Sequence, residues 1–240
     1  MPTTVITGAR TGLGLEHVRQ LSLDPSNTVF ALVRSLTSGD LTALRTIQSS
    51  AAATIHILEC DTSSPPSIAA LPALITGTSP TPVVINVLIN NAAILHHKTE
   101  TSLTLTPSAF HSHMATNVLG PALTLAALLP MLAPDARVVN VTSGLGSLEL
   151  LSNGTIAVEA THYSVSKAAL NMLTVHQARQ VPRGVVVVCV DPGHAKTEMG
   201  GAGATTEPAE SVAGIWRVVR GLRGEDSGRF FVFSGEGVPW

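Results

Sequence analysis

Thr4-Val5-Ile6-Thr7-Gly8-Ala9-Arg10-Thr11-Gly12-Leu13-Gly14-Leu15-Glu16-His17-Val18 is the stretch that decides the fold. A short β-branched run stops at a cluster of three glycines, and an apolar pattern of helical period begins immediately afterwards. Glycine allows the tight turn and lets the backbone approach a bulky anion at the N-terminus of the following helix. The spacing is Gly-x-x-x-Gly-x-Gly rather than Gly-x-Gly-x-x-Gly. At the first strand-to-helix turn of a βαβ unit, this pattern reads as a seat for a dinucleotide pyrophosphate.

Working outward, the same alternation continues to the end of the chain. Strands are expected at Thr28–Val33, Thr54–Glu59, Val83–Ile89, Arg137–Thr142, Val185–Val190 and Phe230–Ser234. Val185-Val186-Val187-Val188 is continuous rather than alternating, as in a parallel strand covered on both faces. Helices are expected at Leu13–Leu23, Leu41–Ala52, Ser67–Thr76, Pro107–Leu132, Tyr163–Val181 and Glu207–Leu222, with a break near Gly120-Pro121. The order predicts an α/β fold: one Rossmann-type, doubly wound parallel sheet of about seven strands with helices on both faces. It predicts one domain over residues 1–240, with irregular segments 144–161 and 193–206 as substrate loops. In such sheets ligands bind beyond the carboxyl ends of the strands.

Those ends carry the chemistry. The second strand runs into Arg34 with no acidic residue before it. An acid there would hold a ribose 2′-hydroxyl, whereas an arginine suits a 2′-phosphate, and Arg10 on the glycine loop adds a second positive charge. The cofactor expected is therefore NADPH/NADP+ in preference to NADH. The third strand ends at Cys60-Asp61-Thr62 and the fourth at Asn90-Asn91-Ala92-Ala93. The fifth ends at Thr142-Ser143-Gly144 and the sixth at Asp191-Pro192-Gly193. Tyr163 and Lys167 lie four apart on an expected helix, hence on one face. A phenol beside an ammonium is expected to lose its proton more readily than usual, which would make it a usable proton donor and acceptor.

In order and spacing, Thr7-Gly-x-x-x-Gly-x-Gly14, Asp61, Asn90-Asn91-Ala92, Asn117, Ser143, Tyr163-x-x-x-Lys167 and Pro192-Gly193-x-x-x-Thr197 resemble the single-domain short-chain dehydrogenase/reductases over essentially the full chain. Thr197-Glu198-Met199-Gly200-Gly201 and Gly237-Val238-Pro239-Trp240 look more narrowly like the sniffer-type or C-factor-like carbonyl reductases. The resemblance implies that Tyr163 is the general acid for carbonyl reduction, assisted by Lys167, which also holds the nicotinamide ribose. It implies that Ser143 hydrogen-bonds the substrate oxygen and that Asn117 holds a water in a proton relay. Asp61 would contact adenine, Asn91 the adenosine-side ribose region, and Thr197 the carboxamide. Gly8, Arg10, Thr11, Gly12, Leu13, Gly14, Arg34, Thr62, Ala92, Ala93, Pro192 and Gly193 would complete the cofactor site. A homodimer or homotetramer is implied, paired through the apolar helices near Pro121–Leu132 and Tyr163–Val181.

Several classes are set aside. Net charge is -2 and charged residues make up 12% of the chain, against about 25% in an average protein. That balance offers no field for nucleic acid or an anionic membrane. Pro121–Leu132 is too short and proline-broken to span a bilayer, and no leader pattern precedes the first strand, so a cytoplasmic protein is expected. Cys60 and Cys189 read as small core side chains. His96-His97 and His111/His113 lack partners at ligand spacing, so no metal is expected and these histidines read as loop and helix-surface groups. His194 reads as a packing or solvent-exposed histidine. A nucleotide-sugar epimerase would need a larger C-terminal domain. The alternative that stays open is a non-catalytic NADP(H)-binding regulatory or sensor protein of the same fold, although such a protein typically lacks the tyrosine or the lysine, and Tyr163 and Lys167 are both present. The substrate expected is a small apolar carbonyl compound, because the loops expected to wall its site are short of charge.

Overall fold

The computed structural model describes residues 2–240. Seven strands form one sheet in the order β3-β2-β1-β4-β5-β6-β7, every neighbouring pair parallel. They are β1 (Thr3–Thr7), β2 (Thr28–Val33), β3 (Thr54–Glu59), β4 (Ile85–Asn90), β5 (Leu132–Val141), β6 (Val186–Asp191) and β7 (Phe230–Val232). The strand order reverses between β1 and β4, so the carboxyl ends there diverge and open a crevice. Val186 to Val190 are all buried, each valine removed from water contributing about 1.5–3 kcal/mol of transfer free energy.

Eight α-helices cover the two faces. On one side lie α1 (Gly12–Leu21), α2 (Thr42–Ser50) and α8 (Pro208–Gly221), packing Val18, Leu44, Ile215 and Trp216 on the sheet. On the other lie α3 (Pro65–Thr76), α4 (Pro107–Met114), α5 (Gly120–Leu128) and α7 (Thr161–Gln180). There Ile68, Leu71, Leu125 and Leu128 fill the core. The short α6 (Leu148–Ser152) lies between β5 and α7.

The expected break at Gly120-Pro121 does not occur. A continuous helix spans Pro107–Met131, and its irregularity lies upstream as a π turn over Ala115–Leu119. Pro121 offers no N–H to the carbonyl of Asn117 four residues back, and the wide turn accommodates that defect without ending the helix. The helix consequently has the length and mean hydropathy, 1.4, of a membrane-crossing segment, longer than the sequence pattern suggested. Its residues Leu125 and Leu128 are nevertheless buried against α3 and the sheet. Of the segments expected to pair in a homo-oligomer, Tyr163–Val181 leaves Val165 and Met172 exposed.

Segment 144–161, expected to be irregular, contains a 3-10 turn and α6. The Ser147 hydroxyl caps α6 by accepting from Leu150 N, and donates to Pro239 O at 2.7 Å. Glu149 N donates to Trp240 O at 2.9 Å, and the Trp240 ring leans on Phe230. The Pro-Trp ending thus fixes the wall of the cavity described below.

Candidate active site

The glycine loop is built by contacts that leave no room for side chains. Gly8 has φ +69 and Gly12 φ +55, both in the left-handed region that glycine tolerates. A Cβ on Gly8 would sit 2.9 Å from Ala92 Cα, and one on Gly14 would run into the Gly8 carbonyl oxygen and Asn91 Nδ2. Thr7 ties β1 to the β4 end: its hydroxyl accepts from Asn91 N at 3.0 Å and Ala92 N at 2.9 Å. The Asn91 side chain donates to the carbonyls of Thr7 and Gly8, so it holds the loop in shape. Thr11, the N-cap of α1, makes no side-chain cap bond, and no acidic residue occupies the first turn. The first N–H groups of α1 are therefore available to an anion, as a pyrophosphate requires.

A cleft of about 480 Å³ runs along the strand ends from this loop. At its outer end stand Arg10 and Arg34, both exposed, with the Arg10 guanidinium lying over Gly39. Val33, Cys60 and Thr62 line the neighbouring section, whereas Asp61 does not. The Asp61 carboxylate instead accepts from Ser63 N and Ser63 Oγ, closing the turn into α3. Ala92 and Ala93 line the cleft, and Ala93 keeps a negative φ that an alanine adopts without strain. Thr197 faces the glycine loop, its Cγ2 within 3.3 Å of a Cβ placed on Gly12.

Tyr163 is where this cleft meets a second cavity of about 460 Å³. Ser143, Gly144, Asp191 and Gly193 stand at its base, with Leu145 and Ile156 among its apolar walls. The Ser143 loop is pressed onto α7: a Cβ on Gly146 would meet the Lys167 backbone at 2.8 Å, and Asn171 donates to Gly146 O. That packing aims Ser143 and Tyr163 at one space. Lys167, almost wholly buried, donates from Nζ to Val141 O at 2.8 Å and lies 5.4 Å from the Tyr163 ring centroid.

The electrostatics differ from the expectation drawn from Tyr163 and Lys167 alone. Burial, reinforced by the Asp191 charge, raises the Tyr163 phenol above its usual range, and the Ser143 hydroxyl opposes this only in part. The reason is that the dry site penalises a phenolate, while the ammonium directs its hydrogen bond to a carbonyl oxygen. Tyr163 thus keeps its proton, the form a proton donor needs. Burial likewise lowers the Lys167 ammonium to about 8, against opposing contributions from Cys189 and Asp191. A group lowered in this way loses its charge as pH rises through that value. The kcat/KM for NADPH, which reports groups of the free enzyme, is expected to be level below about pH 8 and to fall about tenfold per pH unit above it. A profile flat through that region would show that the cofactor does not depend on the Lys167 charge.

Asn117 is fully buried at the π turn, and its side chain clamps the chain after β4. It accepts from Ile94 N at 2.8 Å and donates to Ile94 O and Ser166 Oγ. Both amide hydrogens are thereby engaged by protein, so the side chain has none to give a water.

The histidines also correct the sequence reading in part. His113 is not a surface group but fully buried, stacked on buried His162 at 5.5 Å between ring centroids. Its Nδ1 bonds Ala109 O and its Nε2 accepts from His96 N, which holds the loop after β4 against α4. Among the described residues no group of three or more His, Cys, Asp or Glu side chains is arranged to hold a metal. His194 is exposed, and its Nε2 lies 2.8 Å from Gly200 O. Leu95 and Lys98, in the segment 95–101 expected to help build the pocket, and Met199, in the loop 193–206, line both spaces, whereas sequence reasoning missed the site role of Asp191. The only signal for Asp191 was a carboxylate at the end of a buried strand, which commonly caps a turn.

The chain belongs to the short-chain dehydrogenase family, whose model matches residues 2–208, and is therefore an oxidoreductase of that family. More particularly, it is similar to the C-signal protein of Myxococcus xanthus, with 44% identity over 127 residues covering 52% of this chain and 74% of that protein. It is also similar to the short-chain dehydrogenase/reductase AacuF of Aspergillus aculeatus, 32% identical over 206 residues, covering 80% of this chain and 74% of that one. Its structure matches the NADPH-bound carbonyl reductase from chicken fatty liver with a TM-score of 0.88 and 31% identity, covering 100% of this chain and 99% of that one. It matches the carbonyl reductase Sniffer of D. melanogaster with a TM-score of 0.90 and 27% identity over 100% of both chains.

Proposed function

We propose that this protein is an NADPH-dependent carbonyl reductase acting on a small apolar ketone or aldehyde. The observation that carries the reading is the junction at Tyr163: one side of the phenol faces the cleft behind the glycine loop, the other faces the cavity containing Ser143. The cradle fits a dinucleotide, since its glycines leave no room for side chains, the N-terminus of α1 is uncapped, and Arg10 and Arg34 stand where a 2′-phosphate would lie. Bound NADPH supplies the hydride.

The chain's own groups orient the substrate and move the proton. Ser143 donates a hydrogen bond to the carbonyl oxygen, favouring the charge that grows there. Tyr163 gives its proton to the same oxygen as it becomes an alkoxide. Lys167 holds the nicotinamide ribose and offsets negative charge as the proton leaves the phenol. Asn117 positions the post-β4 loop through Ile94; because Pro121 has no N–H to offer four residues on, the Asn117 main-chain carbonyl would hold the relay water. Leu145, Ile156 and Met199 favour an apolar body on the substrate.

The test is a panel of ketones, aldehydes and quinones at fixed NADPH, repeated with NADH. Turnover is expected with uncharged, apolar members and weak turnover with carboxylated or phosphorylated ones. Binding of NADPH with no turnover across the whole panel would sink the reading.

A further inference from the structure

Asp191 closes β6 at the base of the substrate cavity, and its two carboxylate oxygens reach two different loops. Oδ2 accepts from Gly144 N at 3.0 Å and Oδ1 from Gly193 N at 2.9 Å. The first bond holds the residue next to Ser143, and the second holds the loop that leads to Thr197. The contact is close: a Cβ on Gly144 would come within 2.6 Å of Ile156 Cδ1 and 3.2 Å of Oδ2. The same carboxylate lines the cavity together with Tyr163 and Ser143.

We propose that Asp191 is a positioning residue that braces the Ser143 and Gly193 loops and sets a negative charge against Tyr163, building the site to donate a proton rather than to accept one. This rests on the carbonyl-reductase reading of the same site. Reduction needs the phenol protonated, whereas alcohol oxidation needs it as phenolate to take the alcohol proton. A carboxylate near the phenol disfavours the phenolate by like-charge repulsion. The Asp191 charge indeed acts on Tyr163 in that direction, second only to burial.

The other ionisable groups around this carboxylate are few. Burial raises the Asp191 carboxyl above the usual carboxylate range, opposed in part by the two N–H donors, by Lys167, also on α7, and by His194, on the following loop. Cys189, two residues earlier on β6, stays protonated, its thiol pushed up to about 12 by burial. Glu159 and Lys98 line the same cavity, and Lys98 donates to Met199 O.

Tyr163 is the only tyrosine in the chain, so its phenol can be titrated by ultraviolet absorbance without any substrate. In Asp191→Asn the phenolate midpoint is expected to fall, giving about tenfold more phenolate at a given alkaline pH than in the wild type. Tyr163→Phe should abolish the signal altogether. The kcat for alcohol oxidation should rise relative to the kcat for carbonyl reduction at neutral pH, while the ratio of the specificity constants stays fixed by the reaction's equilibrium. Asp191→Ser, small, neutral and still able to accept one hydrogen bond, repeats the measurement if the asparagine variant does not fold. An unmoved midpoint, with both directions weakened equally, would reduce Asp191 to a structural brace and overturn the proposal. Because the titration requires no turnover, its outcome holds even where the substrate panel fails.

Discussion

Tyr163→Phe is expected to lower kcat for carbonyl reduction by about 10³-fold, the middle of the range for removing a positioned general acid. The substitution deletes one oxygen and keeps the ring, so the packing of α7 on the Ser143 loop should survive. The oxygen that is lost stands at the junction of the cleft and the cavity. NADPH affinity should be nearly unchanged, because the glycine loop, Arg34 and Lys167 remain in place. Stability should hold or rise slightly, since a buried hydroxyl leaves the core. Equilibrium binding of NADPH and single-turnover reduction measured on the same preparation separate the two effects. Full activity in this variant would remove Tyr163 from the mechanism.

Arg34→Asp is expected to invert the cofactor preference. Arg34 follows β2 directly and lines the cleft together with Arg10. The substitution replaces attraction for a 2′-phosphate with repulsion and places an acid where a 2′-hydroxyl could be held. Each near-surface charge contact is worth about 1–4 kcal/mol, so the NADPH-to-NADH ratio of kcat/KM should fall by about 10²–10³-fold. Most of the change should appear in KM for NADPH and should shrink at high salt, because the group is exposed. A ratio that does not move would assign the 2′-phosphate to Arg10 alone or to neither arginine.

The parts of this protein that were legible in sequence share one property: their signals are local. The Val185–Val188 run, the glycine cluster after β1 and the period of α7 each follow from neighbours along the chain. Strand and helix order, and the strand ends on which Ser143 and Pro192 sit, could therefore be read in advance. Boundaries moved where a distant partner decided. β5 begins at Leu132 rather than Arg137 because Leu132 pairs with Ile85 across the sheet. Proline at 121 signalled a helix end, yet the chain absorbed it one turn earlier in the π turn that carries Asn117. His113 belongs to a polar-looking stretch but is buried because His162, far along the chain, stacks on it.

The sequence by itself determined the class of fold, the glycine turn after β1 and the identity of the groups at the strand ends. These rest on spacing and backbone freedom, which the chain carries within each short segment. Only the tertiary structure decided how those groups are charged and held. Tyr163 is raised rather than lowered, since dry packing and the Asp191 carboxylate outweigh an ammonium whose hydrogen bond goes to Val141. Asp191 becomes part of the site because Gly144 and Gly193 converge on it from two loops. Burial and charge proximity are properties of segments brought together from distant parts of the chain, and no local pattern encodes them.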